Sequence, residues 1–307
     1  MRGKRLSRET FRRTLRGKGE LRLRTHPSKK HESEILQIAK SQVIMMSPTT
    51  PIYDAIRMMT KQGFRRIPIA NPGTGLLEGI VTATDIINYL GGGEKFQIIQ
   101  QKYDGNIFKA INEAIRLIMT QKVFSVKTSA KISDAIDLMT QKNLGGLPVV
   151  DDGNHLKAII TERDIAGLFT DKISGVTVAQ LMSEKVVTAL PRTTIFEAER
   201  SMATQGFRRL PIIFDGRVIG ILTSMDIIRF FGSGNVFQHL KSGTIIQVLN
   251  TPALEIATKE VSTIEPNADV GKAAKIMHDK DIGAVPVIKD SRLVGIITER
   301  DFFKIIE

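Results

Sequence analysis

One pattern recurs four times along the chain, and it restricts the fold to something assembled from four like units. Each copy is a helix-period stretch, a loop of small or basic residues, x-Pro-apolar, a turn, an apolar run and Thr-x-x-Asp. The first copy reads Pro51-Ile-Tyr-Asp-Ala-Ile-Arg-Met-Met59, Gly63-Phe-Arg-Arg-Ile-Pro-Ile69 and Gly79-Ile-Val-Thr-Ala-Thr-Asp85. The others close on Thr161-Glu-Arg-Asp164, Thr223-Ser-Met-Asp226 and Thr298-Glu-Arg-Asp301. Proline and aspartate lie 17, 16, 15 and 15 residues apart in the four copies.

The copies are not equivalent. One and three share Gly-Phe-Arg-Arg-x-Pro, at Gly63 and Gly206. Two and four share a small loop, Gly145-Gly146 or Gly283-Ala284, and Thr-Glu-Arg-Asp. The order is therefore A-B-A-B, a duplicated pair. Within a copy, Ile52, Ala55, Ile56 and Met59 fall on one helical stripe. The x-Pro-Ile/Val run reads as a short strand with proline at its start, where no ladder donor is needed. Asp151-Asp-Gly153 and Asp215-Gly216 are hairpin turn signals. Thr-x-x-Asp opens a helix as a capping box. The unit is β-α-β-β-α. One unit buries too little surface to stand alone, so pairing is expected.

These residues resemble CBS repeats over roughly residues 40–307. The resemblance implies an α/β (α+β) fold, disk-like, in which four repeats pair into two pseudo-twofold Bateman modules. It divides the chain into a basic arm (1–36), a first module (37–172, repeats 37–92 and 115–172) and a second (173–307, repeats 178–233 and 246–307). The order of pairs, with extended inter-repeat segments around Phe96–Ile118 and Phe237–Leu249, is similar to the γ subunit of AMP-activated protein kinase and to archaeal stand-alone relatives. Such proteins bind adenine nucleotides in clefts between paired repeats.

The resemblance also implies site residues. The aspartate of Thr-x-x-Asp takes ribose, which maps onto Asp85, Asp164, Asp226 and Asp301. A carboxylate suits that task, because it can accept a hydrogen bond from each of two vicinal hydroxyls. Thr82, Thr161, Thr223 and Thr298, where strand becomes helix, suit a ribose or phosphate oxygen. Arg65, Arg66, Arg208 and Arg209 stand before the proline strands, and Arg163 and Arg300 before their aspartates. Arginine's planar fork matches phosphate. Each motif also has a plainer reading. Thr-x-x-Asp needs nothing beyond a helix cap, and the Arg-Arg pairs could be solvated loop charge. Met58, Met59, Met139, Met202 and Met277 read as helix core.

Other chemistry finds little support. There is no cysteine, and the histidines (His26, His31, His155, His239, His278) lack metal spacing and read as surface or turn residues. There is no Walker loop, no Gly-x-Ser-x-Gly and no His-Glu-x-x-His. Gly91-Gly-Gly93 follows a helix instead of opening one, so it is no phosphate cradle. No apolar run suits a membrane span, and a cytoplasmic protein is expected.

The net charge of +12 is local. Residues 1–31 hold twelve Lys/Arg against two acids, whereas the other 276 residues hold 32 against 30. The expected function is that of a non-catalytic sensor binding AMP, ADP or ATP and passing its state to a protein partner, with homodimers allowed. S-adenosylmethionine or another adenosyl ligand is the alternative, as is nucleic acid held by residues 1–31.

Overall fold

Reciprocal strand exchange joins the repeats in pairs. The computed structural model describes residues 33–234, 236 and 244–306. Of the regions singled out by sequence, residues 1–31, Phe237 and His239 lie outside the described residues. Each repeat folds its apolar runs into an antiparallel hairpin. In the first module these are β1 (Arg66–Ala70) with β2 (Leu77–Thr82), then the short β3 (Val126–Lys127) beside the hairpin of β4 (Gly146–Val150) and β5 (Leu156–Thr161). In the second they are β6 (Arg209–Phe214) with β7 (Arg217–Thr223), and β8 (Ala284–Lys289) with β9 (Arg292–Thr298). The Asp215-Gly216 turn has φ of 49° and 74°. Those positive angles are what a two-residue hairpin of matching twist requires. Asp290-Ser291 turns the fourth hairpin the same way without glycine, at 50° and 63°.

The second strand of each hairpin is completed by the chain ahead of the partner repeat. Ile80 and Thr120 exchange backbone bonds of 3.0 and 2.9 Å, and Ile159 and Lys40 return the arrangement at 3.0 and 2.9 Å. Ile221 pairs with Thr258 and Ile296 with Ser183 in the second module. The expected first strand of the unit is a full strand only as β3. In the other copies it shrinks to parallel bridges, Met46 to Ile69, Ala189 to Ile212 and Ile264 to Val287.

The prolines sit elsewhere than expected. Pro68 is the third residue of β1, opposite Ile80, and not its first. The strand survives because Ile80 turns its own N–H and C=O toward Thr120, so no donor is asked of position 68. The proline carbonyls are used instead: Met46, Ala189 and Ile264 donate to Pro68, Pro211 and Pro286 at 2.8–3.1 Å.

The helical stripes are the core. Ile52, Ala55, Ile56 and Met59 of the helix Ile52–Gln62 are fully buried, and Met139, Met202 and Met277 are buried on the matching helices. Burial of each such aliphatic side chain contributes about 1.5–3 kcal/mol. Repeats one and three share one apolar cluster, in which Ile56, Leu90, Ile195 and Ile228 all take part. Gly63 (φ 69°) and Gly206 (φ 72°) end their helices in the left-handed conformation and turn the chain into Phe-Arg-Arg.

Three local details add to the expectation. A helix begins at Glu34, inside the stretch assigned to the arm, and its Ile35 is buried in the core of repeat two. The apolar side chain and a hydrogen bond from Ser33 to the Thr128 carbonyl tie it there. The segment after Phe96 is helical, over Phe96–Tyr103 and Ile107–Ile111. Thr298-x-x-Asp301 opens a 3₁₀ helix, Glu299–Ile305.

Candidate ligand-binding clefts

All four Thr-x-x-Asp motifs close as capping boxes. Asp85 Oδ2 accepts from the Thr82 N–H at 2.9 Å and from its hydroxyl at 2.7 Å, while the Asp85 N–H donates back to Thr82 Oγ1 at 3.3 Å. Asp164, Asp226 and Asp301 accept from Thr161, Thr223 and Thr298 in the same way, at 2.6–2.8 Å. The capping reading is thus realised, and it engages one carboxylate oxygen per site. The threonine hydroxyl gives its proton to that oxygen and offers a ligand no free donor. The other oxygen, Oδ1, meets a cation. Lys95 lies 3.8 Å from Asp85 and Lys40 4.0 Å from Asp164, while Arg229 and Lys304 lie 2.9 and 2.6 Å from Asp226 and Asp301. Burial raises the pKa of Asp164 and Asp226, against the pull of the threonines and of Lys40 or Arg229.

Asp85 and Asp226, and the threonines Thr161 and Thr298 of the other two motifs, face the chain that completes their hairpin. Asp85 shares a cavity with Thr120–Phe124, and the Asp301 repeat shares the same cavity, through Thr298, with Ser183–Val187. These two clefts, one from each module, are continuous, with a volume of about 600 Å³. Asp226 and Thr258–Ser262 line a second cavity of about 390 Å³. Thr161, just ahead of Asp164, lines a third of about 180 Å³ with Lys40 and Gln42. Arg65 borders all three.

The six arginines converge where the clefts meet, around two buried glutamates that sequence reasoning missed. Glu162 Oε2 takes Arg208 at 2.6 Å, and its Oε1 takes Arg300 at 2.5 Å. Glu299, the equivalent residue of the fourth repeat, does the same with Arg65 at 2.7 Å and Arg163 at 2.9 Å, and adds Arg209 at 3.5 Å. Four of these five pairs join the two modules. Burial opposes ionisation of both glutamates, but the guanidiniums prevail and hold Glu162 below the usual range and Glu299 at about 2. Among the described residues no carboxylate lies within ion-pair distance of Arg66. Burial, then Arg208, lowers Arg66 to about 10, and burial, then Arg65 and Arg208, lowers Arg209 to about 9. Both remain charged at neutral pH. Six guanidiniums against these two carboxylates, with Asp281 beside Arg163 at the rim, leave an excess of positive charge facing the cavities.

The glycines of the even repeats make room for this network. A Cβ on Gly145 would meet the guanidiniums of Arg208 and Arg66, and one on Gly283 those of Arg209 and Arg65. The missed glutamates did leave a signal. Glu-Arg stands inside Thr-x-x-Asp only in the even copies, and Arg-Arg only in the odd ones. Gly91 and Gly92 meanwhile have a packing role, since a Cβ on either would strike Glu199 of the third repeat. His155 and His278 are surface groups beside Asp151 and Asp279. Among the described residues no cluster could hold a metal ion, and no helix is long and apolar enough to cross a membrane.

The sequence profile of the CBS domain matches residues 34–92, 113–171, 178–233 and 253–307. An uncharacterized protein of Methanocaldococcus jannaschii is 37% identical over 273 residues, spanning 88% of this chain and 98% of its own. An uncharacterized 33.4 kDa protein of Thermofilum pendens is 30% identical over 250 residues, 81% of this chain and 83% of its own. A crystal structure of an M. jannaschii protein, proposed as an archaeal homolog of g-AMPK, superposes with a TM-score of 0.84 at 36% identity. It covers 89% of this chain and all of the other.

Proposed function

The chain belongs to the CBS domain family, and from that membership we propose that it is a non-catalytic regulatory protein that binds adenine nucleotides (AMP, ADP or ATP) in the clefts between paired repeats. It reports energy state or ligand supply to a protein partner. The observation that carries this reading is the charge excess at the centre, six arginines around Glu162 and Glu299. Phosphate is the ligand group that a buried set of guanidinium forks recognises. The likeness to a protein proposed as a homolog of g-AMPK supports the same reading.

The residues suggest how binding is transmitted. A ligand alters an equilibrium only through unequal affinity for two states. Phosphate oxygens entering the centre compete with Glu162 and Glu299 for the arginines that join the modules. A nucleotide therefore changes the balance of contacts across the module boundary as it binds. Asp85, Asp164, Asp226 and Asp301 hold ribose through Oδ1, with the neighbouring lysine or arginine drawn aside or onto a phosphate.

S-adenosylmethionine fits the centre less well, because its sulfonium is repelled by uncompensated guanidiniums. Calorimetric titration of the full chain with AMP, ADP, ATP and S-adenosylmethionine tests the assignment. Adenine nucleotides are expected to bind more tightly than S-adenosylmethionine, and a double R65Q/R208Q substitution is expected to weaken ATP more than S-adenosylmethionine. Absence of adenine-nucleotide binding below about millimolar concentration would overturn the reading.

A further inference from the structure

The two sides of the arginine centre are built from equivalent positions of the duplicated pair, yet the side chains at matched positions differ in charge. Residues can be matched through the backbone bridges. Thr120, Lys40, Ser183 and Thr258 each complete a hairpin of the partner repeat. Two residues further on stand Lys122, Gln42, Lys185 and Glu260. The Asp85 and Asp301 clefts thus carry Lys122 and Lys185, whereas the Asp164 and Asp226 clefts carry Gln42 and Glu260.

A second pair of matched residues departs in the same sense. Arg300 donates to the side chain of Asn143, and Arg163, its equivalent, forms an ion pair with Asp281. Asn143 and Asp281 occupy equivalent left-handed positions, with φ of 53° and 52°. The difference between them is therefore one of charge at constant backbone geometry. Asn143 lines the joined Asp85–Asp301 cavity, while Asp281 lines both of the others.

Both differences push the same way. The joined cavity is lined by seven cationic side chains and one carboxylate, Asp85, or two when Asp301, held behind Thr298, is counted with it. The Asp226 cavity has six cations against three carboxylates, and the cavity at Thr161 four against Asp281 and Glu299, or against three with Asp164 behind Thr161. The joined cavity is also the largest of the three. Asp281 is itself exposed but pairs directly with Arg163, so its carboxylate competes with a phosphate for that arginine, which Asn143 does not do at Arg300.

We propose that the two sides are tuned to different phosphate loads: the joined Asp85–Asp301 cavity takes a nucleoside triphosphate, and the Asp164 and Asp226 cavities take an adenosyl ligand with at most one phosphate. Asn143 against Asp281 and Lys122 against Glu260 determine this specificity. The assignment rests on the adenosyl-binding reading for the ligand's sugar and base, and on charge for its phosphates.

Reciprocal substitutions in the full-length protein test it. Asn and Asp both tolerate the left-handed region, and both side chains are exposed, so N143D and D281N leave the backbone unstrained. Titration uses ATP, AMP and, as a probe without adenosine, inorganic tripolyphosphate. N143D is expected to weaken ATP and tripolyphosphate about tenfold and to change AMP less than twofold, a tenfold change being 1.4 kcal/mol. D281N is expected to add ATP binding on the Asp164–Asp226 side, read as raised stoichiometry that D226A removes. K122E, also on an exposed residue, gives an independent copy of the N143D result. If N143D and K122E both leave ATP and tripolyphosphate within twofold of wild type, the assignment is wrong. A protein that binds tripolyphosphate in this charge-dependent way but no adenine nucleotide would refute the adenosyl reading while upholding the asymmetry of phosphate load.

Discussion

Glu162 Oε2 lies 2.6 Å from Arg208 Nη2, across the boundary between the second and third repeats. The carboxylate is 2% exposed and takes Arg300 on its other oxygen. A buried ion pair of this kind is weak evidence of stability as a whole, since its desolvation offsets much of its attraction. Removing one member is different, because the remaining charges stay buried without compensation. E162Q is therefore expected to lower unfolding stability by about 3 kcal/mol, measured in urea. Tripolyphosphate should recover part of the loss, since it supplies the missing anion. An unchanged midpoint would show that Arg208 and Arg300 relax into solvent.

Acid should release the matching clamp around Glu299. Burial disfavours the Glu299 carboxylate, but Arg65, Arg209 and Arg163 outweigh that penalty and move its pKa from the ordinary 4.5 to about 2. A folded-state pKa below the unfolded value contributes stability that is complete above about pH 4.5. That contribution disappears as pH falls toward 2. The shift corresponds to stability on the order of 3 kcal/mol. Denaturation followed from pH 6 to pH 2 should show a steep loss in that window. In E299Q the loss should be shallower, starting from a lower plateau. Parallel curves for the two proteins would mean that Glu299 is not the group that titrates.

Much of this site was legible in the chain, and the part that was not has a physical reason. The four aspartates, the threonines and the six arginines recur at fixed offsets, so a repeat-level reading found them. Glu162 and Glu299 carry no assignment from sequence because their neighbours, Thr161 and Asp164 or Thr298 and Asp301, explain the motif as a cap without them. Their role appears only when repeats two and four are brought against the Arg-Arg pairs of three and one, a relation between distant segments. Pro68 was misplaced by two residues for a similar reason. A proline in isolation reads as the end of a strand, where its missing donor costs nothing, whereas Ile80 directs its hydrogen bonds to Thr120, which belongs to the chain before the next repeat.

Gly283 faces Arg65 of the first module and Arg209 of its own. A Cβ there would come 2.6 Å from both Arg65 Nη2 and Glu299 Oε2, well inside van der Waals contact, and would also strike Arg209. Guanidinium ends can usually swing away, but these are held by Glu299 at 2.7 Å and 3.5 Å. G283A is expected to loosen that clamp and to weaken tripolyphosphate binding about tenfold, which is 1.4 kcal/mol. G75A is the control. Gly75 also has a positive φ, 71°, but nothing stands within 4 Å of its Cβ position. It should lose stability through backbone strain alone and keep anion affinity.

Glu199 occupies the helix position that Ile56 fills in the first repeat. Its side chain is fully buried, neither oxygen has a hydrogen-bond partner, and it packs against Gly91. Burial alone raises its pKa well above the ordinary value. A raised folded-state pKa means that stability is highest below about pH 4.5 and declines as pH rises toward the folded value. An unsatisfied buried polar group costs about 1–3 kcal/mol even when neutral. Methionine is flexible and similar in length, and can fill the same space without overpacking. E199M is therefore expected to raise stability by about 1–3 kcal/mol, seen as a higher melting temperature. Its melting temperature should also vary less between pH 5 and 8 than that of the wild type. E199Q separates the two contributions, because it removes the titration but keeps the unsatisfied polar atoms. It should flatten the pH profile with little gain in stability. A wild-type profile that is already flat over this range, together with no gain in E199M, would mean that Glu199 reaches water or a partner in solution.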